Sequence, residues 1–254
     1  MNRQYALIGV EGNHDQVFVA KVLKELFNFQ EFNGDELELE KFWKKFVPTY
    51  PPKNGKLYKR LDMPSILFND KLSVGIYVGE GANLIKNLTL KLSDIDIDNL
   101  SVFAIVADAD ENSPQEVVQS YYDRLKEYFP NFPLNPGEIV NNTPRLGIYI
   151  LPNNSNQGVL ETLLFQCGEV AYPDYIKRAN NYIDQFTEEE RKKLKLKWKP
   201  FDKQKAIIAT IVSVLKPGKT NTVSIKDNKW ISKTTKEQVP ELANFVNFLE
   251  ELLK

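Results

Sequence analysis

The chain has 254 residues, enough for one large domain or two small ones with a sizeable core. Its 33 Lys and Arg almost cancel its 34 Asp and Glu, which excludes the global basic field that non-specific duplex binders use, so any nucleic-acid contact has to be local. A single cysteine, Cys167, rules out an intramolecular disulfide and, with a single histidine, the usual zinc sites; this fits a reducing cytosol.

The N-terminal run MNRQYALIGV is too short for a signal peptide or a membrane span, and a carboxylate follows it directly, so a soluble, cytoplasmic protein with no membrane partner is expected. Its apolar part, residues 5–10, is predicted to be a buried strand that empties into Glu11-Gly12-Asn13-His14-Asp15. A carboxylate at the mouth of a buried strand meets little that stabilises it except a cation or a donor. In residues 16–27, Phe18, Val22 and Leu26 stand beside Val19, Leu23 and Phe27, the spacing of an amphipathic helix packed on a sheet. Asp15 is placed where the N-cap of that helix is expected, so cap and metal ligand are equally good readings of it. His14, between the two acids, reads as an exposed loop residue.

Over residues 33–70 the pattern changes. Glu36, Glu38 and Glu40 alternate with Leu37 and Leu39, and a Lys-rich aromatic stretch then leads into Pro48, Pro51 and Pro52. This reads as an insertion, with a short helix over 38–46 and a loop lying over or beside a site. Residues 73–78 are predicted to be a strand, which Gly79-Glu80-Gly81 turns into a helix running to about Leu92. A glycine turn at a helix N-terminus presents N–H groups to an anion, or simply makes a tight turn.

Residues 101–110, SVFAIVADAD, give a buried strand over 102–107 that leaves the sheet into two carboxylates. If the extended conformation persists through Ala109, Asp108 and Asp110 face the same way, roughly 6.5 to 7 Å apart at Cα, a spacing that suits a shared cation. The competing reading is a capping loop, for which Asn112-Ser113-Pro114 supplies a helix start. Residues 114–128 carry Val117, Tyr121 and Leu125 on one sheet-packing face. Residues 146–151 form another apolar run, ending in Pro152-Asn153-Asn154. In residues 158–164, Leu160, Leu163 and Leu164 pack inward, and a glutamate such as Glu161 on such a helix ordinarily faces solvent.

The rest is predicted to be helical: 174–186, a helix opened by the capping box of Thr187 and Glu190, 203–215 and 240–253. Residues 191–199, RKKLKLKWK, are the one dense basic run. With Trp198 in it, the run suits either a phosphate-backbone contact with base stacking or a solvated helix end. Successive strand–helix units predict an α/β fold with a mainly parallel central sheet flanked by helices, which binds ligands outside the carboxyl ends of its strands. The expected organisation is one domain over 1–254, with the insertion around 33–70 and a helical C-terminal part around 173–254.

EGNHD at 11–15 and DAD at 108–110, each borne on a strand end, resemble the Toprim domain of topoisomerases, primases and OLD-type nucleases. GEGANLI (79–85), DADEN (108–112), PRLGIYILPNN (144–154), GVLETLL (158–164) and KAIIA (205–209) resemble, in order, the blocks of an uncharacterised Toprim-like bacterial family, a domain of unknown function. The match covers most of the chain except about 33–69. It implies a Toprim-like fold in which Glu11 is a metal ligand or general acid/base and Asp108 and Asp110 hold metal. It also implies a functional role for Glu161, the counterpart of a helix-borne glutamate. Asn153 departs from the pattern, because an acid often stands there in the family; its amide oxygen still allows a positioning role.

Hard divalent cations take oxygen ligands, which Glu11, Asp15, Asp108, Asp110 and Glu161 supply, so Mg2+ or Mn2+ is the expected cofactor. The expected activity is phosphoryl transfer, as a nuclease or nucleotide hydrolase acting on nucleic acid or a nucleotide, with Glu11 and Lys205 as the catalytic pair. Lys205, which opens the KAIIA block, would steady charge building on the phosphate; an ordinary surface lysine is its other reading. The alternative is a regulatory or interaction protein that keeps the Toprim scaffold without turnover, since a fold does not carry its relatives' chemistry with it. The chain contains no glycine-rich ATPase loop, so a coupled ATPase has to be a separate protein. The lack of a nucleophilic tyrosine motif argues against a topoisomerase.

Overall fold

The computed structural model describes residues 3–47 and 63–254. Strands β1 (Gln4–Val10), β2 (Gln30–Glu31), β3 (Ser65–Phe68), β4 (Leu72–Val78), β5 (Leu100–Asp108), β6 (Ile139–Val140) and β7 (Arg145–Leu151) form one seven-stranded sheet in the order β2-β3-β4-β1-β5-β7-β6. The inner four, β4-β1-β5-β7, are mutually parallel, while β2 and β3 extend one edge and β6 the other in antiparallel sense. The helices among the described residues are α1 (Asn13–Phe27), α2 (Leu84–Leu92), α3 (Pro114–Leu125), α4 (Leu160–Ala171), α5 (Pro173–Ile183), α6 (Glu188–Lys193), α7 (Asp202–Leu215), α8 (Asn221–Asp227), α9 (Lys233–Gln238) and α10 (Pro240–Leu252). None of them is long and apolar enough to cross a membrane.

Alternation along the strands sorts the core into two halves. Ala6, Ile8 and Val10 of β1 and Val102, Ala104 and Val106 of β5 face one side, where α1, α4, α7 and α10 bury them. Leu7, Phe103, Ile105 and Ala107 face the other, under α2, α3 and the buried rings of Trp43 and Phe46. Strands covered on both faces have no polar side to show, which is why β1 and β5 read as nearly unbroken apolar runs. The sheet order also contains a switch point. From β1 the chain moves to β4 on one side of it and then returns to β5 on the other, so the carboxyl ends of β1 and β5 flank the crevice in which such sheets bind ligands.

Several sequence expectations are corrected. Residues 38–46 do not form a helix. They make successive turns, with Leu39 N–H donating to Glu36 O (3.3 Å) and Trp43 N–H to Glu40 O (2.9 Å). The path follows the burial of Trp43, whose indole N–H donates to Ser73 Oγ at 2.9 Å, rather than a helical period. The loop expected over the site falls largely on residues 48–62, outside the described residues. Within the expected insertion, Ser65–Phe68 is a sheet strand paired with β4. The C-terminal part carries two short helices, α8 and α9, that periodicity did not mark.

Candidate functional site

Glu11 leaves β1 at the switch point. Val10 pairs with Val106, which puts Glu11 level with Ala107 and one residue short of Asp108 on the neighbouring strand, with backbones roughly 6 Å apart at ordinary strand spacing. The glycine turn after β4 holds this strand end: Gly79 N–H donates to Val10 O (3.0 Å) and Gly81 N–H to Glu11 O (2.8 Å). The Gly81 N–H is thus spent on the site's own backbone, and the helix proper starts only at Leu84. The Glu11 carboxylate turns toward α3, where the Tyr121 hydroxyl donates to Oε1 at 2.7 Å.

On the other face stand Asp15, Asp108 and Glu161. Asp15 is not the N-cap. Gly12 is, because α1 begins at Asn13, and Asp15 reaches back from the first turn to accept the Gly12 N–H at 2.8 Å. Gln16 fixes the same turn to the sheet by donating to Ile76 O (3.1 Å) and Met63 O (2.9 Å). Asp108 ends β5 facing α4, and its Oδ1 accepts the Leu160 N–H at 2.9 Å. It thereby caps from a distance a helix whose own N-cap, Val159, has no side chain for the purpose.

Asp110 breaks from the extended path. The strand stops at Asp108, Asp110 takes φ 49° and its backbone exchanges hydrogen bonds with Gly158 (2.8 and 3.1 Å). The two aspartates are therefore not period-two neighbours on one face. Asp110 is exposed, and its charge still acts on both Glu11 and Asp108.

Glu161 is 7% exposed, against the solvent-facing position ordinary for its helix. Its Oε1 lies 3.1 Å from Nδ1 of His14, which sits in the first turn of α1 rather than in a loop. Lys205, exposed in the first turn of α7, acts electrostatically on both members of this pair. Asn153 serves the turn after β7: its Oδ1 accepts the Ser155 and Asn156 N–H groups at 3.2 and 2.9 Å.

The electrostatics follow from these placements. Burial pushes Asp15 up to about 7, helped by the charges of Glu11 and Glu161 and partly offset by the Gly12 N–H and His14. Burial, then the charges of Asp15, Glu11, Glu161 and Asp110, hold Asp108 well above the ordinary carboxylate range. Burial also raises Glu11 against the Tyr121 hydroxyl, with Asp110 adding to the rise. Glu161 goes the other way: burial works to raise it, but the His14 hydrogen bond and charge, with Lys205, outweigh burial and leave it lowered. The same hydrogen bond raises His14 above its ordinary value. Partly buried carboxylates that repel one another share protons or take a cation.

Glu11 takes both the Tyr121 hydroxyl and the Asp108 backbone, whereas Asp15 and Asp108 each have one oxygen engaged by a donor and a second for which no donor is found among the described residues. Such oxygens suit Mg2+, which needs only one or two carboxylates and completes its shell with water. Among the described residues, no three His, Cys, Asp or Glu side chains are arranged to hold one ion between them. Glu11 stands on the α3 side, and on the α1 and α4 side Asp15 turns to the Gly12 N–H, Asp108 to the Leu160 N–H and Glu161 to His14. Sequence reasoning missed Tyr121 and His14 as partners of the acids. A tyrosine on the inward face of α3 was a signal, because a buried hydroxyl needs a polar partner.

No curated protein matches the chain. The crystal structure of a hypothetical protein, PH0156 from Pyrococcus horikoshii OT3, is similar to it at 22% identity and a TM-score of 0.48, over 98% of this chain and 95% of that one. Residues 5–254 match the family described as Protein of unknown function (DUF3226), so nearly the whole fold, both halves of the carboxylate site included, is family sequence, and the chain belongs to that family.

Proposed function

We propose that the chain is a divalent-metal-dependent phosphoryl-transfer enzyme, a nuclease or nucleotide hydrolase, with a Toprim-like acidic site at the switch point of β1 and β5. The observation that carries this reading is the gathering of Glu11 and Asp108 at adjacent strand ends with Asp15 in the first turn of α1, where burial and the charges of neighbouring acids raise all three. Structural ion pairs lower carboxylates; an acid cluster kept in an unfavourable state calls for another reason. On this reading Asp15 and Asp108 would hold Mg2+ or Mn2+ with water completing its shell, and Glu11, Asp110 and Glu161 would act on it through that water. The chemistry supplied there is polarisation of a phosphate oxygen and a lower pKa for water.

The chain's own groups do the rest. Glu11, raised by burial and steadied by Tyr121, accepts or returns a proton at its carboxylate. Lys205 offers a positive charge to the phosphate, and Glu161 orients His14 at the rim and favours its cationic form. The protein would work in the cytoplasm on nucleic acid or a nucleotide, with any coupled ATPase a separate chain.

A second reading has its own support. Asp15 and Asp108 both serve the backbone, as reach-back partner and remote cap, and three-fold convergence is lacking among the described residues. A non-catalytic interaction protein that keeps the Toprim scaffold is consistent with that. The two separate in a screen of single-stranded, duplex, RNA and nucleotide substrates with Mg2+ or Mn2+. The enzyme cleaves only with metal, and Asp108→Ala abolishes the cleavage. No cleavage, together with melting unmoved by millimolar metal in both proteins, would refute the proposal.

A further inference from the structure

Residues 191–199 contribute six basic side chains and no acid to a protein of net charge −1, and residues 192–200 are all exposed. Their ion pairing is sparse. Lys192 meets Glu188 at 2.7 Å, whereas among the described residues Lys193, Lys195, Lys197 and Lys199 form no ion pair. Apolar groups are exposed among them: Leu194 (72%), Leu196 (51%) and Trp198 (38%). The Arg191 guanidinium lies 4.3 Å from the Trp198 ring centre, and the same side chain donates to Phe186 O. Phe186 and Tyr182, both exposed, pack edge to face at 5.2 Å in the preceding segment. A solvated helix end accounts for the lysines but not for an indole ring held by Arg191 and two apolar leucines left in water among them.

The run also has a fixed place relative to the carboxylates. Lys199 N–H donates to Asp202 Oδ2 at 2.7 Å, which ties the end of the run to the first residue of α7. Lys205 follows about 4.5 Å along that helix, and its charge reaches His14 and Glu161. A polyanion drawn to the lysines is thereby brought to the rim of a site whose own acids repel it.

We infer that residues 191–199 form a docking strip for single-stranded nucleic acid, feeding the carboxylate site past Lys205. The phosphates lie on the lysines and unpaired bases stack on Trp198. A single strand is favoured over a duplex because stacking needs base faces that pairing hides. This inference names the substrate class of the proposed phosphoryl-transfer site and rests on that reading.

The test is fluorescence anisotropy with the full chain in EDTA, so that binding is read without turnover. The probes are labelled oligo-dT, oligo-rU and a duplex of equal length. Single strands are expected to bind more tightly than the duplex. Trp198→Ala should weaken them roughly 5- to 100-fold. The triple change of Lys195, Lys197 and Lys199 to Gln should lower the slope of log K against log salt by about 2, at about 0.7 per lost single-strand phosphate contact. A preference for oligo-rU over oligo-dT, or the reverse, assigns the strip to one polymer and supports it.

Single-strand binding indifferent to Trp198→Ala and to the triple change overturns the inference. So does a duplex bound as tightly, or binding to anionic lipid vesicles with none to oligonucleotides. Metal-dependent cleavage that survives Trp198→Ala unchanged on long single strands keeps the reaction and removes the strip. Oligonucleotide binding by a protein that cleaves nothing keeps the strip and removes the reaction.

Discussion

Asp15 offers the sharpest measurement, because neutralising a buried acid should stabilise this protein and should do so only above a defined pH. Its pKa rises from 3.8 to about 7 on folding, with burial the first cause. Between those values the folded chain binds more protons than the unfolded chain. Stability therefore falls as pH rises through that window, and the loss is complete above about pH 7. Asp15→Asn keeps an oxygen for the Gly12 N–H and cannot ionise. The variant should gain about 1 kcal/mol over wild type at pH 4.5 and about 4 kcal/mol at pH 8, at 1.36 kcal/mol per pKa unit. Against this stands the lost interaction of a first-turn carboxylate with the helix dipole, worth about 0.3 to 1 kcal/mol.

The net gain at pH 8 corresponds to a melting temperature roughly 6 to 15 °C higher for a chain of this size. Urea and thermal unfolding of both proteins, in EDTA from pH 4.5 to 8, read it directly. Mg2+ or Mn2+ should then raise wild type more than the variant, and more at pH 8 than at pH 5, because metal binds the deprotonated cluster. A stability difference between the two proteins that does not change with pH would refute the account of a carboxylate held protonated by burial and its neighbours.

Two further outcomes follow from the same geometry. The only histidine of the chain gives one resolvable NMR titration. His14 should titrate above 6.5 and fall below its wild-type midpoint in Glu161→Gln, once burial acts without the carboxylate charge. The stability from this pair should be full below about pH 6.5 and be lost as pH rises through the raised His14 value; an unchanged midpoint would show that the pair does not form. At the turn that holds Glu11, Gly79→Ala places a Cβ 2.2 Å from Leu84 Cα, where backbone cannot yield, and should cost about 3 kcal/mol in urea unfolding. Gly81→Ala meets nothing within 4 Å and has only its φ of 62° to oppose it, so it should cost about 1 kcal/mol. Equal costs would contradict this reading of the turn.

The sequence by itself determined the central layers. Strands buried on both faces must be apolar along their length, so β1, β4, β5 and β7 stand out, and the helices that cover them carry periodic faces. Their shared parallel sense followed from the alternation of strand and helix. The short edge strands β2, β3 and β6 were not legible, because two to four residues carry no period and their partners are distant in sequence. Trp43 shows the same limit: its burial against Ser73 decides the path of residues 35–47, and neither residue announces the other.

Glu11 and the DAD motif were visible as acids at strand mouths, but their arrangement was a tertiary matter. Sheet order puts β1 beside β5 and so makes the switch point. The left-handed turn at Asp110 ends the alternation that would have aligned it with Asp108. The join between α1 and α4 brings His14 to Glu161, 147 positions apart, and turns an ordinary helix glutamate into a buried ion-pair partner. A local pattern reports which face a residue takes on its own element; which charge waits on the facing element depends on how the layers stack.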